Sequence, residues 1–180
     1  MGKRPTQILE EEHKYIQVVV SALAVLAEKI EAGVQIKKEI LEAIVDFMRS
    51  YADKDHHGKE EEILFPFLEK KGVPSQGCPI SILITEHAKG RMLVGALADG
   101  AEAYTKGDAG AKESLLKALH GLTDLYPKHI WREDYLLFPM TDKLLSAEDQ
   151  EYLSRLFNEA EDAFGADKHA IFEQAARDIK

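Results

Sequence analysis

Two segments of this chain, HHGKEEEILFPFL at 56–68 and HIWREDYLLFPMT at 129–141, align on their Phe-Pro pairs, Phe65-Pro66 and Phe138-Pro139. The alignment places His56 on His129 and Glu60 on Glu133. Each copy follows another histidine at nearly the same interval: His13 stands 43 residues before His56, and His87 stands 42 before His129. A unit of this length is a helical hairpin, with one His on its first helix and His-x-x-x-Glu on its second. Two copies make four helices, whereas a solenoid needs three or more repeats to bury its faces.

The apolar periodicity agrees. Leu9, Ile16, Val20, Leu23, Ala27 and Ile30 keep a 3.6-residue period that Gly33 ends. Leu41, Ile44, Val45, Met48 and Ala52 open a second helix that stops at Gly72-Val73-Pro74. A third starts near Pro79 and carries Ile80, Leu83, Val94 and Leu97. Asp108 is a candidate cap for a fourth, with Leu115, Leu122, Leu125, Leu136 and Met140 on one face. No alternating β-type segment appears. The expected fold is all-α, an up-down-up-down four-helix bundle over 1–142. A short C-terminal helical appendage over 143–180 is expected to pack on the bundle or on a partner, and Ser146 is its N-cap signal.

Residues four apart on a helix share a face. His56 and Glu60 fall in line with Met48, Ala52, Ile63 and Phe67; His129 and Glu133 fall in line with Leu122, Leu125, Leu136 and Met140. His13 follows Leu9 and precedes Ile16, and His87 follows Leu83, so four histidines and two glutamates ride the buried stripes of four helices. Isolated ionised carboxylates there would be costly. Mixed His and carboxylate donors suit iron, manganese or zinc. Two carboxylates can bridge a pair of ions about 3.5–4 Å apart, each ion then taking two histidines.

His57 and Glu61 repeat the spacing one residue along, but their backward walk meets Asp53, Ser50 and Asp46, a polar face. They are expected to support the site or face solvent. His120, with Asp124 four residues on, reads as a surface pair, and His169 in the tail carries no signal. The runs Glu10-Glu11-Glu12 and Glu60-Glu61-Glu62 read as solvated faces, apart from Glu60. Tyr51, Tyr104 and Tyr126 are within reach of a core site as donors, though packing is the plainer reading. Cys78, beside a helix start, is read as an incidental thiol rather than a redox group. Pro66, Pro127 and Pro139 are expected to kink their helices or mark their last turns.

The order His13, HHGKEE at 56–61 with LFP at 64–66, EHAKGR at 86–91, and HIWRED at 129–134 with LFP at 137–139 resembles the hemerythrin-like, or HHE cation-binding, family over about residues 6–142. The resemblance implies a four-helix bundle holding two non-haem irons bridged by carboxylates and an oxo or hydroxo group, with manganese or zinc as poorer candidates. Carried over by position, the terminal ligands are His13, His56, His87 and His129, and the bridges Glu60 and Glu133. Oxygen-carrying members have His-x-x-x-His on the third helix and a final His followed five residues later by Asp. Here Arg91 stands four after His87, and Glu133 stands four after His129. A symmetric centre with two histidines per iron is therefore expected, like the branch that handles nitric oxide, peroxide or iron. Arg91 would hold a bound anion or, the plainer reading, pair with a glutamate.

The expected partner is a small diatomic or peroxide ligand (O2, NO, H2O2), with a redox partner or second copy of the chain besides. An oxidoreductase is one expectation; a sensor or carrier without turnover is the other. The formal charge of −9 and the lack of a basic patch speak against nucleic acid. The longest apolar stretch, 18–27, is broken by Ser21 and too short for a bilayer. With one cysteine and no visible secretory signal, a cytoplasmic location is expected.

Overall fold

The computed structural model describes residues 3–77 and 79–178, so Cys78 lies outside the described residues. The described residues are helical throughout, without strands. Helix α1 is Pro5–Glu31, with Pro5 in its first turn, where a missing N–H costs nothing. Helix α2 covers 38–70 without a break, α3 is Ile80–Lys106, and α4 covers 111–144. These four form the bundle, α1 and α3 both packing against α4, and α2 against α3.

Gly107 ends α3 in the left-handed conformation, a position that suits glycine. The start of α4 departs from expectation: it begins at Ala111 behind left-handed Gly110, and Asp108 contributes only its backbone carbonyl, to the Ala111 N–H. Helix α5, Ala147–Phe164, starts as expected at Ser146, whose side chain accepts from Asp149 N while the Asp149 carboxylate accepts from Ser146 N. Helix α6 is Ala166–Asp178. Both pack on α1, and α5 also meets α2. Helix α4 runs to Leu144, two residues past the expected boundary at 142.

The second helices of the two hairpins are not α-helical throughout. Helix α2 is α over Lys38–Phe47, widens to π-helix over Met48–His57 and again over Glu60–Leu64, and returns to α over Phe65–Lys70. Helix α4 is α over Ala111–Arg132, π over Glu133–Leu137 and α over Phe138–Leu144. Both short π turns end at the Phe-Pro pair. Proline cannot donate to the preceding turn and its ring pushes on the carbonyl four residues back, so the turn opens by one residue. Pro66 and Pro139 thus sit in the first turn of a fresh α segment, while Pro127 is absorbed inside the first segment of α4.

The extra residue changes the phase of each stripe. Leu136, expected on the buried face, is 51% exposed, and Leu137 is buried in its place. In α2 Leu64 and Leu68 are fully buried, whereas Ile63 and Phe67 are half-buried. Two apolar clusters result. Leu9, Leu64, Phe65, Leu83, Leu137 and Phe138 fill one end of the bundle. Ile16, Leu23, Met48, Leu97, Leu122 and Ile130 belong to the larger core towards the other. The histidine and glutamate layer lies between these two stretches of sequence on every helix.

Candidate metal centre

The structure brings His13, His56, Glu60, His87, His129 and Glu133 together, each no more than 3% exposed. His13 Nε2 and His56 Nε2 approach to 3.1 Å, and His87 Nε2 and His129 Nε2 to 3.2 Å, reproducing the hairpin repeat as an approximate two-fold arrangement. The glutamates span the two pairs. Glu133 lies 3.2 Å from His13 Nε2 and 3.3 Å from His129 Nε2; Glu60 lies 3.8 Å from His56 Nε2 and 3.4 Å from His87 Nε2.

His57 corrects the sequence reading. It is 2% exposed, stacks on His87 with ring centroids 3.8 Å apart, and joins Glu60, His87 and His129 in one group of donors. The π turn is the cause. With hydrogen bonds from i to i+5, each residue turns through less than the 100° of an α-helix. His56 and His57 therefore both face inward. Stepping back by five from His57 meets Ala52 and Phe47, both buried, rather than the polar Asp53. The second hairpin places Ile130 at the aligned position, so this fifth imidazole breaks the two-fold arrangement.

Every imidazole is held by a carboxylate through Nδ1. His13 donates to Asp134 at 2.7 Å, His56 to Glu12 at 2.9 Å, His57 to Asp53 at 3.2 Å, His87 to Glu61 at 2.6 Å and His129 to Glu86 at 3.2 Å. Such bonds fix the tautomer, leave the Nε2 lone pair facing the centre and make it a better donor to a metal. Two Nε2 atoms at about 3 Å repel unless a proton or a metal ion lies between them. The oxygens of Glu60 and Glu133 and Nε2 of His57 are buried without a hydrogen-bond partner. Buried groups of this kind are rare unless a ligand satisfies them. The donor set, imidazole nitrogens with bridging carboxylates, fits divalent or trivalent transition metals.

The supports follow the repeat. Glu12 and Glu86 each precede the first-helix histidine and hold the second-helix histidine of the same hairpin. Glu61 and Asp134 each follow one of the two central glutamates and hold a histidine of the other hairpin. Behind them stand cations: Lys59 Nζ donates to Glu12 at 2.5 Å, and at the aligned position Arg132 donates to Glu86 at 2.6 Å. Glu12, read from the sequence as solvated, is 2% exposed. The signal that would have found these residues is the same alignment, read one position either side of the ligands.

The hemerythrin HHE cation binding domain family model matches residues 4–141. The chain belongs to that family. Two curated relatives, the uncharacterised proteins Mb2018 of Mycobacterium bovis and Rv1995 of Mycobacterium tuberculosis, are each 25% identical to it over 154 residues. The matched span is 85% of this chain and 59% of each relative, so the chain covers little more than half their length. No solved structure matches it.

In this hemerythrin domain the remaining candidates take definite places. Arg91 donates to Asp53 at 2.7 Å and to Glu61 at 2.8 Å, tying together the carboxylates that hold His57 and His87, which is the ion-pair role. The Tyr126 ring stands 6.3 Å from those of both His57 and His129. Tyr51 packs on Phe47, and Tyr104 donates to the Val34 carbonyl away from the site. His120 is exposed as expected, but its partner is Glu31 at 3.0 Å; Asp124 pairs with Lys128. His169, which carries no signal in the sequence, is buried. Among the described residues no helix is long and apolar enough to cross a membrane.

Burial and the neighbouring Glu133 charge push the Glu60 carboxyl well above its usual range. Glu133 itself stays ionised: burial opposes the charge, but His129, His13 and His87 hold its pKa well down. Burial opposes the charge on His13 too, yet Asp134 and Glu133 raise it to about 9. Burial lowers His56 to about 4. At pH 7 the metal-free centre therefore holds a proton on His13, and an incoming cation must displace it. Metal uptake at pH 7 is expected to release at least one proton per chain, an order-of-unity effect of such linkage. Titration heats in buffers of different ionisation enthalpy measure it; equal heats in all buffers would contradict these protonation states.

Proposed function

We propose that the chain is a non-haem di-iron protein whose centre takes up a small diatomic or peroxide ligand. The observation that supports this most is the convergence of five carboxylate-anchored imidazoles on two carboxylates that have no other partner. The donors divide unequally, His57, His87 and His129 on one side and His13 and His56 on the other. On this reading the two positions take three and two imidazoles, where the sequence led to the expectation of two each. The position beside His13 and His56 has one imidazole fewer than its neighbour, and a small ligand would add there. Bound iron would supply Lewis acidity and one-electron chemistry there.

The protein's own share is to hold the donors rigid and exclude water. Phe138 stacks on His13 and Phe65 on His87, closing the side towards the apolar end. Arg91 is committed to Asp53 and Glu61, and burial pushes the Tyr126 hydroxyl pKa well up. Neither is a ready general acid, which favours ligand binding and electron transfer over acid–base turnover. The test is the optical spectrum of the reduced, iron-loaded protein under argon, air, nitric oxide and peroxide. A stable reversible adduct supports a carrier or sensor; rapid consumption of peroxide or nitric oxide supports an oxidoreductase; no spectral response to any of them overturns the proposal.

His57 separates the two halves experimentally. His57→Ala is expected to weaken one of two metal equivalents more than ~100-fold, beyond the range for an outer-layer residue, and to spare the other. Competition titration with a calibrated chelator reads both. Two unaltered equivalents would return His57 to a supporting role.

A further inference from the structure

The two hairpins carry the same support, Lys59–Glu12–His56 in one and Arg132–Glu86–His129 in the other, but the chain treats them differently. In the second hairpin the support is open: the Glu86 side chain is 15% exposed and that of Arg132 is 35% exposed. In the first it is sealed, with Glu12 at 3% and Lys59 at 1%. What seals it is the C-terminal helix. α6 packs on α1 with Phe172 against Phe47 and Tyr51, and it sets His169 over the network. His169 Nε2 lies 3.4 Å from Asp55 Oδ2 and 3.6 Å from Glu12 Oε1, the two oxygens to which Lys59 donates. Its Nδ1 faces Glu173 at 3.7 Å and Glu161 at 3.9 Å.

Charge accounts for the histidine. Glu12 and Asp55 are two buried carboxylates, and Lys59 is one ammonium; a second cation balances them. Glu12, Asp55 and His169 also have the spacing of a metal-ligand group, but Lys59 already supplies the cation there, so the cluster reads as support and not as a further metal site. Resting on the di-iron reading above, we propose that α6 belongs to the metal centre: His169 is a positioning residue that fixes Glu12, and through it His56, and so makes the metal beside His13 and His56 unlike its neighbour. Without it Glu12 keeps Lys59 but loses the second group over its Oε1, so Glu12 and the His56 ring are held less firmly, while the second hairpin is untouched.

The test uses the full chain loaded with Co2+, and follows release of each equivalent to a chelator by absorption, together with the melting temperature of the metal-free protein. His169→Leu is expected to release one equivalent about 10-fold faster, the low end for an outer-layer residue, and the other within two-fold. His169→Lys restores the charge and is expected to restore the slow rate. A purely structural role would speed both equivalents together, in step with a lower melting temperature, and would not be rescued by lysine. That result, or unchanged release in His169→Leu, overturns the proposal. A wild-type chain binding fewer than two Co2+ would instead fail the di-iron reading, and the inference would fall with it.

Discussion

Replacing Glu133 with alanine is expected to abolish tight binding of both metal ions. Its carboxylate lies within 3.2–3.7 Å of Nε2 of His13, His129 and His87, so it contacts both halves of the centre. It is fully buried, and its oxygens have no other partner. Losing it removes a donor from each metal and the anionic charge that lets cations share the site. Each equivalent should weaken more than ~100-fold, beyond the range for outer-layer changes. Glu133→Gln, which keeps the shape and loses the charge, should weaken binding in the same direction. Co2+ titration followed by absorption measures both variants. A Glu133→Ala protein that still takes two equivalents with near wild-type affinity would mean that Glu133 does not bridge.

Stripping the metals should destabilise the fold itself. The layer of donors lies between the two apolar clusters and connects all four bundle helices, so cations binding the folded state alone stabilise it by mass action. At free metal a thousand-fold above the dissociation constant, the contribution is about 4 kcal/mol. For a chain of this size that corresponds to a fall of roughly 8–16 °C in melting temperature on chelation. The metal-free centre keeps compensation of its own, since the raised Glu60 carboxyl takes up a proton more readily than an ordinary one, which relieves its repulsion with Glu133. The expected product of chelation is therefore a folded bundle of lower stability, not an unfolded chain. Thermal unfolding with and without chelator measures the difference, and coincident curves would show that the cluster holds no metal in the folded protein.

The architecture was legible because it rests on local pattern. Apolar residues at helical spacing, the Ser146 cap and the repeat around the Phe-Pro pairs each need only a short window of sequence. Three of the misplacements share one cause. His57, Leu136 and Ile63 were placed by a 3.6-residue period, and each lies in or just beyond a π-helical stretch where that period does not hold. For Ile63 and Leu136 the Phe-Pro pairs carried the warning, since a proline within an amphipathic run can open the turn before it, as Pro66 and Pro139 do and Pro127 does not. Glu12, Glu61, Glu86 and Asp134 were within reach of the same alignment that gave the ligands. His169 was not: its place over Glu12 depends on α6 folding back on α1 across more than 150 residues of chain. No local pattern encodes that contact.

The most direct test of the whole account is the number of metal ions per chain after anaerobic reconstitution with ferrous iron and removal of the excess, measured by elemental analysis against quantitative protein determination. Two irons per chain is the predicted result, falling to fewer than one in Glu133→Ala. Fewer than one iron in the wild-type chain would contradict it.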